Sequence, residues 1–361
     1  MPPRRTTPKA RGAAEPKRVP QQQQNTRQVA TPALSMAAAA KLLAAPPKPK
    51  PKTIAPNNAS FEVVSPHLED HCALLRVLAS VFGTELAHPD YLERLQRIKQ
   101  LFYERDFLGI FGDPALVATY SARYISGRAL AYLDLVRDVP AIAAALDACR
   151  THPVVSIGGG AGSELAAFGF FWRTRRLGAE GESNDPLQML SIDIGDFSDV
   201  LERLQTALGP PSPTAPEEGQ GRVVVSHRFM QADVLQPDAL ASLAPALTAA
   251  PLVTLFFTLN ELFVQSRAGA LQFVTKLTRT MRPGAILWVC DSAGSFSDIQ
   301  IGSREYKITV FLDMLPGLER VAGDDARWWR VADGEAAEYP VRIENMRFFY
   351  RAYRIKATIR E

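Results

Sequence analysis

The sequence predicts an α/β protein: a mostly parallel sheet closed by an antiparallel hairpin, with an N-terminal helical extension and a disordered basic tail. Three observations predict this class. An apolar strand, Val154–Ile157, runs into a glycine-rich turn and then into a helical pattern. Four more apolar segments follow, and helical patterns separate them as far as Asp291. Two strand-like segments then close the chain.

Residues 1–60 have the composition of a disordered tail. Residues 1–52 hold eleven Lys and Arg side chains, ten prolines and a single acid, Glu15, and such a segment cannot bury a core. It carries +10, and because the whole chain carries +3, the remainder carries −7. The basic runs at 4–5 and 48–52 favour a nuclear or nucleolar protein or attraction to RNA phosphates. A solubilising tail, a cytoplasmic protein or a mitochondrial presequence are the alternatives, although the prolines argue against a presequence.

Residues 61–150 predict a helical segment ahead of the sheet. Two groups of apolar residues each recur at helical spacing: Leu74, Leu75, Leu78 and Phe82, then Leu92, Leu95, Ile98, Leu101 and Phe102. The following segment, 120–132, is dense in aromatic residues and arginines. Its Arg123 and Arg128 can reach RNA or a cofactor carboxylate, or simply stack on tyrosines at a helix surface.

The turn at 158–162 is the centre of the predicted site. Glycines let the backbone pass close to a ligand, and the N-terminus of the next helix offers unpaired N–H groups. Gly158, Gly160 and Gly162 form G-x-G-x-G, whereas the dinucleotide fingerprint has a glycine at the place of Ser163. This spacing favours S-adenosylmethionine (SAM), which has no pyrophosphate to bind. An ordinary glycine-rich loop is the alternative.

The later elements follow from apolar runs and turn residues. The predicted strands are 187–193, 223–230, 252–259, 286–290, 328–331 and 348–355. The predicted helices are 197–208, 271–281 and 306–315, and a surface loop covers 209–221. The last two strands predict the closing antiparallel pair.

Other classes of protein receive little support. No run of about 18 apolar residues exists, so the sequence predicts no membrane partner. Cys72, Cys149 and Cys290 lie far apart, which indicates reduced thiols. His67 and His71 are four residues apart beside Cys72 but lack a fourth ligand, so we expect no metal site.

Polar residues follow four of the predicted strands: Ser163 with Glu164, Asp193, Asp233, and Asn260 with Glu261. The carboxyl ends of parallel strands meet at one edge, where ligands bind. We expect Asp193 to accept both ribose hydroxyls, Asp233 to accept from the adenine amino group, and the glycine loop to hold the amino-acid end. Each acid could instead simply cap a helix.

These motifs resemble those of class I SAM-dependent methyltransferases, and more narrowly of a fungal family that includes the large-subunit (25S) rRNA uridine-N3 methyltransferase. The resemblance covers about residues 65–358. The matching segments are 120–132, Ile157–Glu164, Phe257–Phe263, Asp291–Ser297 and Glu344–Phe348. One departure is Ser156, where class I enzymes usually carry an acid; Glu164 can compensate for it. The resemblance implies a Rossmann-like sheet that binds SAM, and it excludes the tail. Together with the composition, it predicts a disordered basic tail (1–60), a helical pre-domain (61–150) and a methyltransferase domain (151–361).

The resemblance also implies roles for the segment after the fourth strand. Amino-methylating enzymes carry Asn-Pro-Pro-aromatic there, so Asn260 is expected to orient a base edge and Phe263 to stack on the base. Glu261 is the candidate base that removes the uracil N3 proton. Alternatively, Glu261 caps a helix and Phe263 lies in the core.

Three functions remain open from the sequence. The first is an rRNA methyltransferase acting in ribosome biogenesis on rRNA or a pre-ribosome. The second is a small-molecule or protein methyltransferase of the same fold, which the −7 body favours. The third is a non-catalytic SAM-fold factor in ribosome assembly.

Overall fold

The computed structural model describes residues 65–178, 185–209, 224–293, 298–301 and 304–357. The predicted tail (1–60), nearly all of the predicted loop 209–221 and the end of the 291–297 motif lie outside these ranges. Residues 61–361 form one compact unit. The boundary predicted at residue 150 stays a prediction. No helix in the described ranges is long and apolar enough to cross a membrane.

Within the described residues, five α-helices precede the sheet. They are α1 (Leu68–Leu86), α2 (Tyr91–Glu104), α3 (Phe107–Phe111), α4 (Pro114–Asp138) and α5 (Pro140–Asp147). The predicted face of α1 is buried, but Leu92 in α2 is 69% exposed. The prediction is wrong there because Tyr91, four residues before Leu95, takes the inward position.

Strands and helices then alternate. The elements are β1 (Val154–Ile157), α6 (Ser163–Gly178), β2 (Leu187–Asp193), α7 (Ser198–Leu208), β3 (Val225–Gln231), α8 (Ala239–Ala249), β4 (Leu252–Phe256), α9 (Leu259–Gln265), α10 (Arg267–Thr280) and β5 (Ile286–Ser292). A hairpin follows, β6 (Asp298–Ile301) and β7 (Arg304–Lys307), and then α11 (Ile308–Met314), β8 (Leu318–Trp329) and β9 (Met346–Ile355).

The main sheet has the order β3-β2-β1-β4-β5-β9-β8. Strands β1 to β5 pair in parallel, and β9 pairs antiparallel with both β5 and β8. The last strand of the chain therefore lies inside the sheet, between β5 and β8. The predicted class, a mostly parallel sheet with a closing antiparallel pair, is confirmed.

Helices cover both faces of this sheet. On one face, the N-terminal helices share a continuous apolar core with α6, α7 and sheet residues such as Phe256 and Trp288. On the other face, α8 to α11 pack on residues such as Val155 and Leu255. Successive strand residues point to opposite faces, so the apolar runs of β1 and β4 supply both cores.

Several predicted elements differ from the structure, and the largest difference is in β8, which begins at Leu318 and ends at Trp329 instead of covering 328–331. The fourth strand ends at Phe256 rather than at 259, because Phe257 adopts φ +53° and the helix α9 begins at Leu259. The predicted helix 306–315 begins at Ile308, since the preceding residues pair as β7 with β6.

His71 joins distant parts of the chain. Its buried ring lies between Glu335 (Nδ1 to Oε1, 2.6 Å) and Asp134 (Nε2 to Oδ1, 2.9 Å). Burial opposes the charged form, but the hydrogen bonds to these carboxylates raise the pKa of His71 to about 9. In the described ranges, no group of His, Cys, Asp or Glu is arranged to hold a metal ion.

Candidate functional site

A cavity of about 710 Å³ lies at the carboxyl ends of β1, β2, β3 and β4. Between β1 and β4 the strand order reverses, and such a switch point is where open α/β sheets bind ligands. This volume includes space that is open to solvent.

The glycine loop forms one wall of this cavity. Gly158 and Gly162 have φ of +75° and +83°, which only glycine adopts readily. A Cβ on Gly158 would lie 1.8 Å from Thr258 Oγ1, and one on Gly160 would lie 2.2 Å from the Phe197 ring. A Cβ on Gly162 would lie 2.3 Å from the Leu204 side chain. The loop is therefore packed closely on α7 and on the turn after β4, and Gly158 itself lines the cavity.

Asp193 lies opposite this loop at the end of β2. Its carboxylate accepts hydrogen bonds from the backbone N–H of Gly160 (2.9 Å) and of Gly195 (3.3 Å). These bonds direct the carboxylate along the cavity wall, where a ribose diol could reach it. Burial raises the pKa of Asp193 to about 6, although the backbone N–H groups oppose the shift.

Ser163 and Glu164 begin helix α6 and also line the cavity. Ser163 Oγ and Glu164 Oε1 are buried and have no hydrogen-bond partner among the described residues. Buried polar atoms without partners are rare, and in a cavity wall they indicate groups that a bound ligand satisfies. The ammonium and hydroxyl groups of SAM are donors of the kind that these acceptors require, so the residues present fit this cofactor.

Asp233 follows β3 and lines the far end of the cavity, beside Val234. Its carboxylate accepts from Leu235 N (2.9 Å) and Gln236 Nε2 (2.7 Å). The residue thus caps the turn and still borders the cavity.

Of the three residues expected to act on the methyl acceptor, only Glu261 lines the cavity. Asn260 instead holds Asp291 at the end of β5, donating through its backbone N–H (3.0 Å) and through Nδ2 (2.6 Å). Phe263 is buried in the core, edge-to-face with Phe311 at 5.8 Å. The structure does not bring Asn260 or Phe263 into the cavity wall.

Arg128 is a cation in the cavity wall. Its Nη1 donates to the Tyr120 hydroxyl (2.8 Å), and its guanidinium lies 4.6 Å from the Phe257 ring centroid and 5.3 Å from that of Tyr124. No carboxylate of the described residues forms an ion pair with it. The guanidinium is held by aromatic rings and is available to a negative group in the cavity.

Three buried carboxyl groups interact electrostatically with this cation. Burial raises the pKa of Glu164 and of Glu261 to about 8, and that of Asp291 to about 6. The neighbouring Asp193 and Asp291 raise the pKa of Glu261 further, whereas Arg128 lowers it. Such clusters of shifted groups in a cavity are typical of functional sites.

Several cavity residues were not among the expected site residues. The pattern at 120–132 singled out Arg128 without fixing its role. Phe111, Phe197, Phe257 and Thr258 also line the cavity. The matching segment 257–263 included Phe257 and Thr258 without giving them a role, and no sequence signal placed Phe111 or Phe197 in the site. In the structure, Phe257 stands out by its φ of +53°. Such a backbone conformation is uncommon outside glycine and concentrates at functional sites.

Comparison with known proteins finds relatives among methyltransferases. The chain is 29% identical over 286 residues to the 25S rRNA (uridine(2843)-N(3))-methyltransferase of Saccharomyces cerevisiae, covering 72% of this chain and 77% of that protein. Among solved structures, an O-methyltransferase family protein from Burkholderia thailandensis matches with a TM-score of 0.41 and 12% identity, over 78% of this chain and 73% of that one.

The 16S rRNA (adenine(1408)-N(1))-methyltransferase of Catenulisporales acidiphilia, in a variant bound to SAM, matches with a TM-score of 0.32 and 14% identity, over 61% of this chain and 92% of that one. These overall structural similarities are low, and the fold assignment rests on the strand order.

A family model described as "Putative SAM-dependent methyltransferase" matches residues 78–354, which include the glycine loop, the cavity and the closing strands. The helices before the sheet lie largely within this match, so the family extends beyond the parallel strands. The chain belongs to this family of SAM-dependent methyltransferases.

Proposed function

We propose that the chain transfers the methyl group of SAM to N3 of a uridine in large-subunit rRNA, as its yeast relative is named to do. The observation that carries the proposal is the meeting of Glu261 and Arg128 in one cavity wall, beside the glycine loop and Asp193. A carboxylate and a cation at this place suit an acceptor that must lose a proton and become negative.

The cofactor is assigned to the glycine-loop side of the cavity. Asp193 accepts the ribose hydroxyls, Asp233 and its neighbours border the adenine, and Ser163 and Glu164 accept from the methionine ammonium. Arg128 is an alternative contact for the methionine carboxylate. When bound, SAM supplies a methyl group on a sulfonium, and the remaining chemistry belongs to the chain.

Glu261 is the proposed general base. The uracil N3 carries a weakly acidic proton that must leave before nitrogen can attack the methyl carbon. A general base is most effective when its pKa lies near the working pH, and burial places that of Glu261 at about 8. The nitrogen–methyl bond forms as the sulfur–methyl bond breaks, and the proton passes to the Glu261 carboxylate.

Arg128 stabilises the negative charge that spreads to the uracil oxygens as the proton leaves. A fixed donor in a water-excluded site stabilises developing charge strongly. Phe257 lies at the cavity wall under this guanidinium, and we assign to it the stacking role first expected of Phe263. Transfer is an in-line displacement, so holding the ring at contact distance supplies much of the acceleration.

A uridine paired within a helix hides N3, so the substrate nucleotide must be single-stranded or turned out of its helix. The basic tail then serves nuclear or nucleolar targeting, or attraction to rRNA. The −7 charge of residues 53–361 favours a second candidate, a small-molecule or protein acceptor.

The test is mass-spectrometric mapping of methylated nucleosides in large-subunit rRNA from cells with and without the protein. We expect one 3-methyluridine to disappear on deletion and to return with the wild-type gene but not with Glu261→Gln. Unchanged rRNA methylation would contradict the proposal and favour another acceptor. Purified protein that binds SAM yet transfers no methyl group would favour an assembly factor.

A further inference from the structure

Trp328 presents a large aromatic ring to solvent near the end of strand β8. Its side chain is 58% exposed, while the adjacent Trp329, on the opposite face of the strand, is only 6% exposed. Placing an indole in water sacrifices the free energy that its burial would release. An exposed ring of this size therefore indicates a binding surface more strongly than an exposed polar residue does.

The ring lies at the same edge of the sheet as the cavity. Trp328 pairs with Arg347 at the start of β9, and the next residue, Phe348, pairs with Ser292 at the carboxyl end of β5. The Ala293 N–H also donates to the Arg347 carbonyl at 3.4 Å. Ser292 directly follows Asp291, the carboxylate that holds the first turn of α9 and hence Glu261.

Arginines lie beside the ring. The Arg347 guanidinium lies 5.8 Å from the Trp328 ring centroid. Arg330, two residues after Trp328, and Arg347 are both exposed, and neither forms an ion pair within the described ranges. Two carboxylates of the neighbouring segments are engaged: Asp138 pairs with Arg327, and Glu344 with Arg123. Asp333 is an acid nearby in sequence that forms no ion pair with the described residues. This patch is basic although residues 53–361 carry a net −7.

We propose that Trp328, Arg330 and Arg347 form a platform for single-stranded RNA next to the methylated nucleotide. The inference rests on the proposed rRNA substrate and extends it to a second contact. An exposed aromatic ring stacks on any base, and arginines beside it neutralise phosphates and add cation–π contacts. The platform holds a flanking base while the target base enters the cavity.

The experiment measures binding of a fluorescent single-stranded oligoribonucleotide to the full chain by anisotropy, at several salt concentrations. Trp328→Ala should weaken binding about tenfold or more, since one stacked base contributes that much. Arg347→Ala should lower the slope of log affinity against log salt by about 0.7, the value for one phosphate of a single strand. The matched control is Tyr103→Ala, another exposed aromatic residue (86%) that lies on α2.

SAM affinity and the thermal transition should be unchanged in all three variants, because none of these residues lines the cavity or lies in a core. A selective loss of RNA affinity in the platform variants supports the platform, whatever the methylation assay shows. Equal RNA affinity of Trp328→Ala and wild type would overturn the platform, and the exposed ring would then favour a contact with a protein partner. The proposed function fails separately, if wild-type protein binds RNA through the platform but forms no 3-methyluridine.

Discussion

At the scale of single residues, Asp193 is the most direct test of the cofactor site. Its carboxylate is oriented by two backbone N–H groups and faces the cavity. We expect Asp193→Ala to weaken SAM binding by about ten- to a hundred-fold, because a hydrogen bond to a charged group contributes roughly 1.5–3 kcal/mol. Titration calorimetry measures this. Asp196→Ala, an exposed acid three residues on, is the control, and equal losses in both variants would remove Asp193 from the site.

Glu261 is the residue on which the chemistry depends. Glu261→Gln keeps size and hydrogen bonding but removes the base. We expect SAM affinity within a few-fold of wild type and methyl transfer reduced by about a hundred-fold or more. Glu261 has a pKa of about 8, at which half of its carboxyl groups are ionised. The wild-type rate should therefore rise with pH through about 8 and level off above it, and the variant should lack this rise. Full activity of Glu261→Gln on rRNA would mean that solvent takes the proton.

At the scale of elements, the first turn of α9 is fixed by the carboxylate of Asp291 on β5. Asn260→Ala removes the side-chain hydrogen bond to Asp291 and leaves the backbone one. We expect methyl transfer to fall at least tenfold because Glu261 loses its fixed position, while SAM binding is retained. If Asn260 acts through this contact, Asn260→Ala combined with Asp291→Ala should lose less activity than the sum of the single losses, since the two changes remove the same interaction. If the losses of transition-state stabilisation in the two single variants instead add up to that of the double variant, a direct contact of Asn260 with the base is favoured.

The same turn shows how far the sequence could predict the site. The glycine loop and the strand-end acids could be placed because their roles depend on local pattern and on strand ends meeting at one edge. Asn260, Glu261 and Phe263 were expected to act together on one base, but all three lie on the short helix α9. With 100° between successive residues, Phe263 is 200° from Glu261, so the two cannot face the same cavity. The partner of Asn260 is 31 residues away in sequence, and no local pattern reveals it.

At the scale of the whole molecule, buried ionisable groups make stability depend on pH. Glu164 and Glu261 have folded pKa values of about 8, and His71 has one of about 9, all above their ordinary values. The folded state therefore binds more protons than the unfolded state, so stability is lost as pH rises. His227, whose pKa burial lowers to about 4, acts oppositely, but only below pH 6.5.

Without SAM, we expect the melting temperature to fall by several degrees between pH 6.5 and 9, measured by differential scanning calorimetry. A tenfold change in proton affinity corresponds to roughly 1.4 kcal/mol, and 1 kcal/mol moves the transition of a 150–250-residue domain by about 2–4 °C. His71→Gln should reduce the fall of the melting temperature above pH 8. Glu261→Gln should reduce its fall below pH 8. A melting temperature that rises over this range would contradict the assigned shifts.

The tail gives the last prediction. Because residues 1–52 carry +10 and ten prolines, we expect deletion of residues 1–60 to move the melting temperature by less than about 2 °C while weakening RNA binding or changing the cellular location. Melting curves and fluorescence imaging of tagged chains measure the two effects. A large fall in melting temperature would show that the tail packs on the rest of the chain.

The position of β9 has a consequence for the order in which the protein can assemble. Translation delivers β5 and β8 before β9, yet the sheet places β9 between them. Until residues 346–355 have left the ribosome, the edge of β5 has no neighbour and β8 has nothing to pair with. An unpaired apolar edge is a template for incorrect association, the kind of intermediate that chaperones protect. Each new molecule therefore passes through a stage in which one edge of β5, the strand that carries Asp291, is unpaired, and this edge is covered only when β9 inserts.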